Sequence, residues 1–266
     1  MTVPTFDFYP GTTPLLISLP HVGTGIPEPL RAQFVPRALH LEDTDWHLEQ
    51  LYAFASGLGA GLLVPRLSRF VIDLNRPPEN TPMYAGANNT ELCPTRFFSG
   101  DPLYREGQAP AADAIDQRRR SWWQPYHDTL QAELARIRAR HGHAVLFDGH
   151  SIRSQLPWLF EGTLPDLNLG TASGASCAAS LRAALQQVLQ SRQQFTHVVD
   201  GRFKGGYITR SLGRPQHGQH AVQLEMCWST YMQERAPYRV DPQRSDRLAP
   251  VLHALVQTMI DWRPDA

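Results

Sequence analysis

Two apolar runs of this chain end in histidine. The first, LLISLPHVG (15–23), carries His21; the second, AVLFDGHSIR (144–153), carries Asp148 and His150. Taken singly, either histidine reads as a half-buried side chain donating to a backbone carbonyl. Two at strand ends can converge on one point, and neutral imidazoles ligate zinc when a third donor joins them. LEDTDWHLEQL (41–51) offers that donor among Glu42, Asp43, Asp45 and Glu49. Acids in such a position also complement a helix dipole and cap its free N–H groups. Asp45 is preferred to Asp43 because it lies immediately before the apolar-periodic segment, where a short side chain can face the strand tips. Two histidines and one carboxylate leave a fourth tetrahedral position for water, the arrangement of a catalytic rather than a structural zinc.

Water bound in this way needs a base. HAVQLEMC (220–227) ends an apolar run with Glu225, and a period of two puts Ala221, Gln223 and Glu225 on one face, Val222 and Leu224 on the other. A carboxylate there is costly without a partner or a task. A salt bridge to one of the arginines is the plainer reading; beside a metal, Glu225 is the proton shuttle. SRFVIDLNRPPEN (68–80) brings Asp73, Asn75 and Arg76 to the end of another run, and GRFKGGYITRSLG (201–213) carries Arg202, Lys204, Thr209 and Arg210. A guanidinium at a strand end can clamp a carboxylate with two parallel hydrogen bonds. The Gly205–Gly206 pair suits a tight turn or a close approach to ligand and lacks phosphate-loop spacing, while GLGAG (57–61) lacks dinucleotide-binding spacing and reads as a helix stop.

The elements that must position these residues are strands at 15–19, 69–74, 144–148, 196–201 and 220–226. Between them, helical stripes run through Leu48, Leu51, Tyr52 and Ala55; Leu130, Leu134 and Ile137; Leu181, Leu185 and Leu189; and Leu248, Leu252, Leu255 and Met259. This alternation predicts an α/β fold, a mixed, mostly parallel sheet flanked by helices, with ligands bound beyond the carboxyl ends of the strands. Residues 76–110 lack periodicity and read as a binding loop or lid. No repeat or flexible linker interrupts the 266 residues, so one domain over 1–266 is expected.

Composition narrows the function classes. The formal net charge is zero, which gives no pull toward nucleic acid or an anionic membrane. No apolar stretch is long enough to span a bilayer and the first residues do not resemble a secretory signal, so a cytoplasmic location is expected. Three cysteines without a C-x-x-C pair argue against a disulfide framework and a thiolate zinc site.

SLPHVGTGIP, EDTDWHLEQLY, SRFVIDLNRPPE, ELCPTRFFSGDPLYREG, LFDGHSIRS, PDLNLGTASGASC, DGRFKGGYITR and HAVQLEM are spread from about residue 15 to 235. Together they resemble the N-formylglutamate amidohydrolases (N-formylglutamate deformylases) of histidine degradation, a family related in fold to the zinc carboxypeptidases. The resemblance implies a three-layer α/β fold, one Zn2+ and a small-molecule substrate, N-formyl-L-glutamate, hydrolysed to formate and L-glutamate. It implies His21 and His150 as metal ligands with a carboxylate near Asp45 as the third, Glu225 as general base, and Arg76 with Asn75 as carboxylate anchor. Arg210 is a further candidate for substrate binding, and Asp148, two residues before His150, for orienting its ring. The chain departs from the H-x-x-E motif of the carboxypeptidases, since Thr24 stands three residues after His21; Val22 replaces a frequent serine. The alternatives are a hydrolase of another N-acyl or N-formimino amino acid, separable by a substrate panel, and a non-catalytic metal- or carboxylate-binding protein, which has no need of Glu225.

Overall fold

In the computed structural model, which describes residues 5–83 and 88–264, the apolar runs pair into a seven-stranded sheet. Its strands are β1 (Phe6–Tyr9), β2 (Leu15–Ser18), β3 (Gly61–Pro65), β4 (Ala144–Ile152), β5 (Leu167–Gly170), β6 (His197–Val199) and β7 (Gln219–Cys227), in the spatial order β1-β3-β2-β4-β7-β5-β6. The central strands β3, β2, β4 and β7 run parallel. β1 is antiparallel to β3, and the β5–β6 pair runs against β7. The expected mixed sheet is thus present.

Alternation along the strands divides the core in two. Leu16, Leu63, Leu146 and Ala221 face the Gln124–His141 helix, which presents Leu130, Leu134 and Ile137. On the opposite face Ile17, Val145, Phe147, Val222 and Leu224 pack against Leu181, Leu185 and Leu189 of the Ala179–Gln190 helix and Leu248, Leu252 and Leu255 of the Pro242–Asp261 helix. The result is a three-layer arrangement with central strands buried on both faces, as their unbroken apolar runs require. No helix of the described residues is long and apolar enough to cross a membrane.

The structure corrects three expectations. RFVIDL is not a strand. It turns, with Val71 N–H donating to Ser68 and Asp73 N–H to Leu92, and Phe70, Val71, Ile72 and Leu74 are buried without a sheet partner. The stripe from Leu48 to Ala55 belongs to two short helices, Leu48–Leu51 and Phe54–Gly57, which stop where Gly59 takes φ +82. GLLVP and LNLG, read as no element, are β3 and β5.

Residues 76–110 form no helix or strand among those described, yet they are packed, since Leu92, Cys93, Phe97 and Leu103 enter the core beneath the Gln124–His141 helix. A longer helical run than the stripe suggested prepares that contact. Ala112–Arg118 leads through a π-turn, Arg119–Trp123, directly into Gln124–His141. The helix then supplies the donors that segment 74–76 lacks from any strand: His127 Nε2 lies 2.8 Å from Leu74 O, and Trp123 Nε1 donates to Arg76 O at 3.0 Å. Burial lowers the His127 pKa to about 4, so it makes this bond as a neutral imidazole.

Candidate active site

The site is built at the carboxyl ends of β2, β4 and β7. Parallel pairing of β4 with β7 sets Asp148 opposite Gln223 and His150 opposite Glu225, all on one face. His21 follows β2, the neighbour of β4 on its other side. Asp45 comes from the turn before the Leu48–Leu51 helix, and its N–H donates to His21 O at 3.1 Å, which ties the turn to the strand tip.

His21, Asp45 and His150, all buried, offer ligand atoms within 4.8 Å of one another. Asp45 Oδ2 lies 3.1 Å from His150 Nδ1 and 3.6 Å from His21 Nδ1. The far side of each ring is held by a different carboxylate: His21 Nε2 is 2.7 Å from Asp73 Oδ1, and His150 Nε2 is 3.1 Å from Asp148 Oδ2. His21 Nε2–H is thus used by Asp73, His150 Nε2 lies between the Asp148 carboxylate and the Asn75 amide, and the Nδ1 atoms of both rings converge on the Asp45 oxygen. His21 Nδ1 is buried with no hydrogen-bond partner among the described residues. Two imidazole nitrogens and a carboxylate oxygen, with one nitrogen otherwise orphaned, match the donor set of a zinc-type centre. Asp43 is buried elsewhere: its Oδ2 accepts from Phe98 N at 2.9 Å, and burial pushes its pKa up to about 7.

The electrostatics follow from these contacts. Although burial opposes ionisation, the hydrogen bond with His150 at 3.1 Å and the nearby His21 ring at 3.6 Å hold the Asp45 carboxyl well below the usual carboxylate range. Asp73 is likewise held low against burial, by His21, Arg69 and Arg76. Arg69 is itself buried. Its Nη2 donates to Asp73 at 2.6 Å, its Nη1 lies 3.8 Å from Asp45, and its guanidinium sits over the Phe98 ring. Glu225 has no ion pair among the described residues; its Oε2 accepts from Gln223 Nε2 at 3.5 Å, the limit of a hydrogen bond. Burial pushes its pKa up to about 8, where a modest change of surroundings moves it between acid and base.

Above this floor the site opens into a cleft enclosing, with its mouth, about 640 Å³, lined among others by His150, Glu225, Arg76, Arg202 and Phe98. A floor of two imidazoles and a carboxylate under a partly apolar, arginine-bearing wall suits an anionic small molecule with a hydrolysable bond.

A family model described as N-formylglutamate amidohydrolase matches residues 13–232. The chain belongs to that family. Two curated relatives carry the name N-formylglutamate deformylase. One, from Pseudomonas aeruginosa, is 47% identical over 256 residues, and one from Pseudomonas putida is 48% identical; the match covers 96% of this chain and 96% of each relative. Among solved structures, an N-formylglutamate amidohydrolase from Ralstonia eutropha superposes with a TM-score of 0.78 at 21% identity, over 97% of this chain and 96% of that one. A gene product of Agrobacterium tumefaciens gives 0.72 at 17%, over 96% and 94%. These two likenesses establish the fold.

Several residues singled out in the sequence meet here in unexpected ways. Asn75 lines the cleft, but its amide is engaged: Oδ1 accepts from Ile208 N at 2.8 Å, and Nδ2 donates to Asp148 Oδ2 at 3.0 Å and lies 2.8 Å from His150 Nε2. Arg76 donates to Thr90 O and Thr90 Oγ1 at 3.0 and 2.8 Å, tying the long loop to the site. Arg210 is exposed on the Tyr207–Leu212 helix, with Nε donating to Gly205 O; the cleft takes Arg202 from the same segment instead. Arg69, Arg202 and Gln223 were not picked out as site residues. For Gln223 a signal existed, since it lies two residues before Glu225 on one strand face.

Gly206 is required by close approach. A Cβ there would meet the Asn75 amide at 2.4 Å, while Gly206 N–H donates to Gln223 Oε1 at 2.7 Å. Gly206→Ala is expected to displace Asn75, loosen the His150 ring and weaken zinc binding by roughly 10-fold, within the range typical of lost support behind a ligand. Competition with a chromophoric chelator measures this; unchanged affinity would remove Asn75 from the support of His150.

Proposed function

We propose that this protein hydrolyses N-formyl-L-glutamate to formate and L-glutamate with the aid of one bound zinc ion, the step in histidine degradation that the family resemblance implies. Family membership and the name shared by the two Pseudomonas relatives support the substrate. The observation that carries the reaction type is the β4–β7 register, in which buried Glu225 stands beside His150 next to the His21–Asp45–His150 cluster. A binding protein has no use for such a carboxylate.

His21, Asp45 and His150 would hold the metal. Zinc in such a site supplies Lewis acidity, lowering the pKa of a coordinated water toward about 7 and polarising the formyl oxygen. Asp73 and Asp148 keep the two rings turned so that Nδ1 faces the centre. Glu225 takes a proton from the attacking water as its oxygen bonds to the formyl carbon, then delivers that proton to the amide nitrogen as the C–N bond breaks. Arg76 holds the substrate's α-carboxylate and fixes the amide over the floor of the cleft, a contribution of orientation rather than bond chemistry.

The direct test is formate release from N-formyl-L-glutamate by metal-stripped protein, before and after adding one equivalent of zinc. Formate is expected only after zinc is returned. No formate in either state, with zinc demonstrably bound, would redirect the substrate search to other N-acyl and N-formimino amino acids.

A further inference from the structure

Three arginines line the cleft among the described residues: Arg69, Arg76 and Arg202. We infer that Arg202 binds the side-chain carboxylate of the substrate and so sets the preference for an acidic amino acid, an assignment that rests on the activity proposed above. The substrate carries two carboxylates around a neutral formamide, so a site that prefers it must meet two negative charges while leaving the amide on the metal floor.

The three cations are not equivalent. The charge of Arg69 is used within the protein, against Asp73 at 2.6 Å and Asp45 at 3.8 Å. Arg76 Nη1 lies 4.0 Å from Asp73 Oδ2, the carboxylate that also holds His21, so Arg76 sits beside the ligand cluster. That place suits the α-carboxylate, which is attached to the same carbon as the scissile nitrogen. The side-chain carboxylate lies beyond two methylenes and needs a cation farther out. Arg202 is the remaining cation of the cleft wall among the described residues: its Nη2 donates to Leu159 O at 2.9 Å and its guanidinium lies 5.3 Å from the Phe203 ring centroid, with Leu159 and Phe203 also lining the cleft. The apolar wall accepts the methylenes and lowers the local dielectric, which strengthens an ion pair formed against it.

The segment carrying Arg202 is also fixed in advance. Asp200 has φ +54, and its carboxylate accepts from Thr171 N at 2.7 Å, Ser173 N at 3.1 Å and Thr171 Oγ1 at 2.6 Å while pairing with Arg182 at 3.2 Å. Ala172 N–H donates to Lys204 O at 2.6 Å on the other side of Arg202. A non-glycine residue held at positive φ by so many bonds marks a backbone whose course matters. A rigidly presented guanidinium loses little entropy when it grips a carboxylate.

The test compares wild type with Arg202→Gln, both zinc-loaded, on N-formyl-L-glutamate and on its uncharged isostere N-formyl-L-glutamine. Wild type is expected to prefer the glutamate. The variant is expected to lose roughly 100-fold in kcat/KM on N-formyl-L-glutamate and to change less than about 3-fold on N-formyl-L-glutamine. Equal losses on both substrates would show that Arg202 only supports Leu159, and an undiminished preference would show that another group reads the charge; either overturns the assignment. Should Arg202→Gln fail to fold, Arg202→Lys keeps the charge without the fork and is expected to raise KM for N-formyl-L-glutamate roughly 10-fold at similar kcat; an unchanged KM overturns the assignment equally. If zinc-loaded wild type releases formate from neither substrate, the proposed activity itself falls, a result distinct from an Arg202 variant that keeps the wild-type preference.

Discussion

Glu225→Gln is expected to lower kcat on N-formyl-L-glutamate by roughly 1,000-fold while zinc content and KM stay close to wild type. The substitution keeps volume and hydrogen-bonding shape, so the cleft wall persists and only proton transfer is lost. Position supports the role: β4 and β7 set Glu225 directly beside His150, it is buried, and it forms no ion pair among the described residues. Near-normal turnover with zinc bound would remove Glu225 from proton transfer.

The same substitution has a second readout that needs no substrate. In metal-free protein, burial raises the Glu225 pKa from 4.5 to about 8. Between those values the native state keeps a proton that the unfolded chain releases, so this residue's contribution to stability falls as pH rises through that window. Glutamine does not titrate. Glu225→Gln should therefore melt close to wild type near pH 5 and above it near pH 8.5, the gap widening with pH. Thermal denaturation of both stripped proteins decides this, and a gap independent of pH would show that burial does not tune this carboxylate.

How far the site could be read in advance depended on which kind of element carries each group. His21, His150 and Glu225 were legible because a strand fixes side-chain direction by parity, and an apolar run that ends in a polar residue marks a sheet's edge. Asp148 was legible for the same reason, two residues before His150. Asp45 was chosen over Asp43 on a positional argument, and the turn at His21 brings Asp45 to the histidines while Asp43 caps the Phe98 amide. Arg69 was hidden because it pairs with Asp73 through a turn mistaken for a strand. Three consecutive buried apolar residues, Phe70, Val71 and Ile72, look alike whether or not a sheet partner exists, and here Trp123 and the Gln124–His141 helix take that partner's place by meeting the Arg76 and Leu74 carbonyls. Arg202 and Arg210 stand in one segment, and only the local path set by Asp200 and the Gly205–Gly206 turn determines which enters the cleft. The layers were easier to read, since each helical stripe needs a sheet face to cover it and the central strands are apolar on both.

His150→Ala is expected to abolish stable zinc binding and, with it, formate release. The reasoning runs from the ring's surroundings. Burial works against a charge on His150, but Asp148 and then Asp45 outweigh it and hold its pKa well above the ordinary histidine range in the metal-free protein. The ring must give up that proton before Nδ1 can ligate, so zinc competes with protons and its affinity should fall as pH is lowered. In His150→Ala, Asp45 loses its closest imidazole at 3.1 Å and a metal would keep only His21 and Asp45. Asp148→Asn separates the ligand from its support: all three ligands remain, the carboxylate 3.1 Å from Nε2 is gone, and affinity should drop by roughly 10- to 100-fold rather than vanish. Metal analysis after dialysis, with chelator competition across pH, distinguishes these cases. Full zinc occupancy in His150→Ala would exclude it as a ligand. Equal affinity of Asp148→Asn and wild type would mean that the Asp148 charge is not what holds the ring.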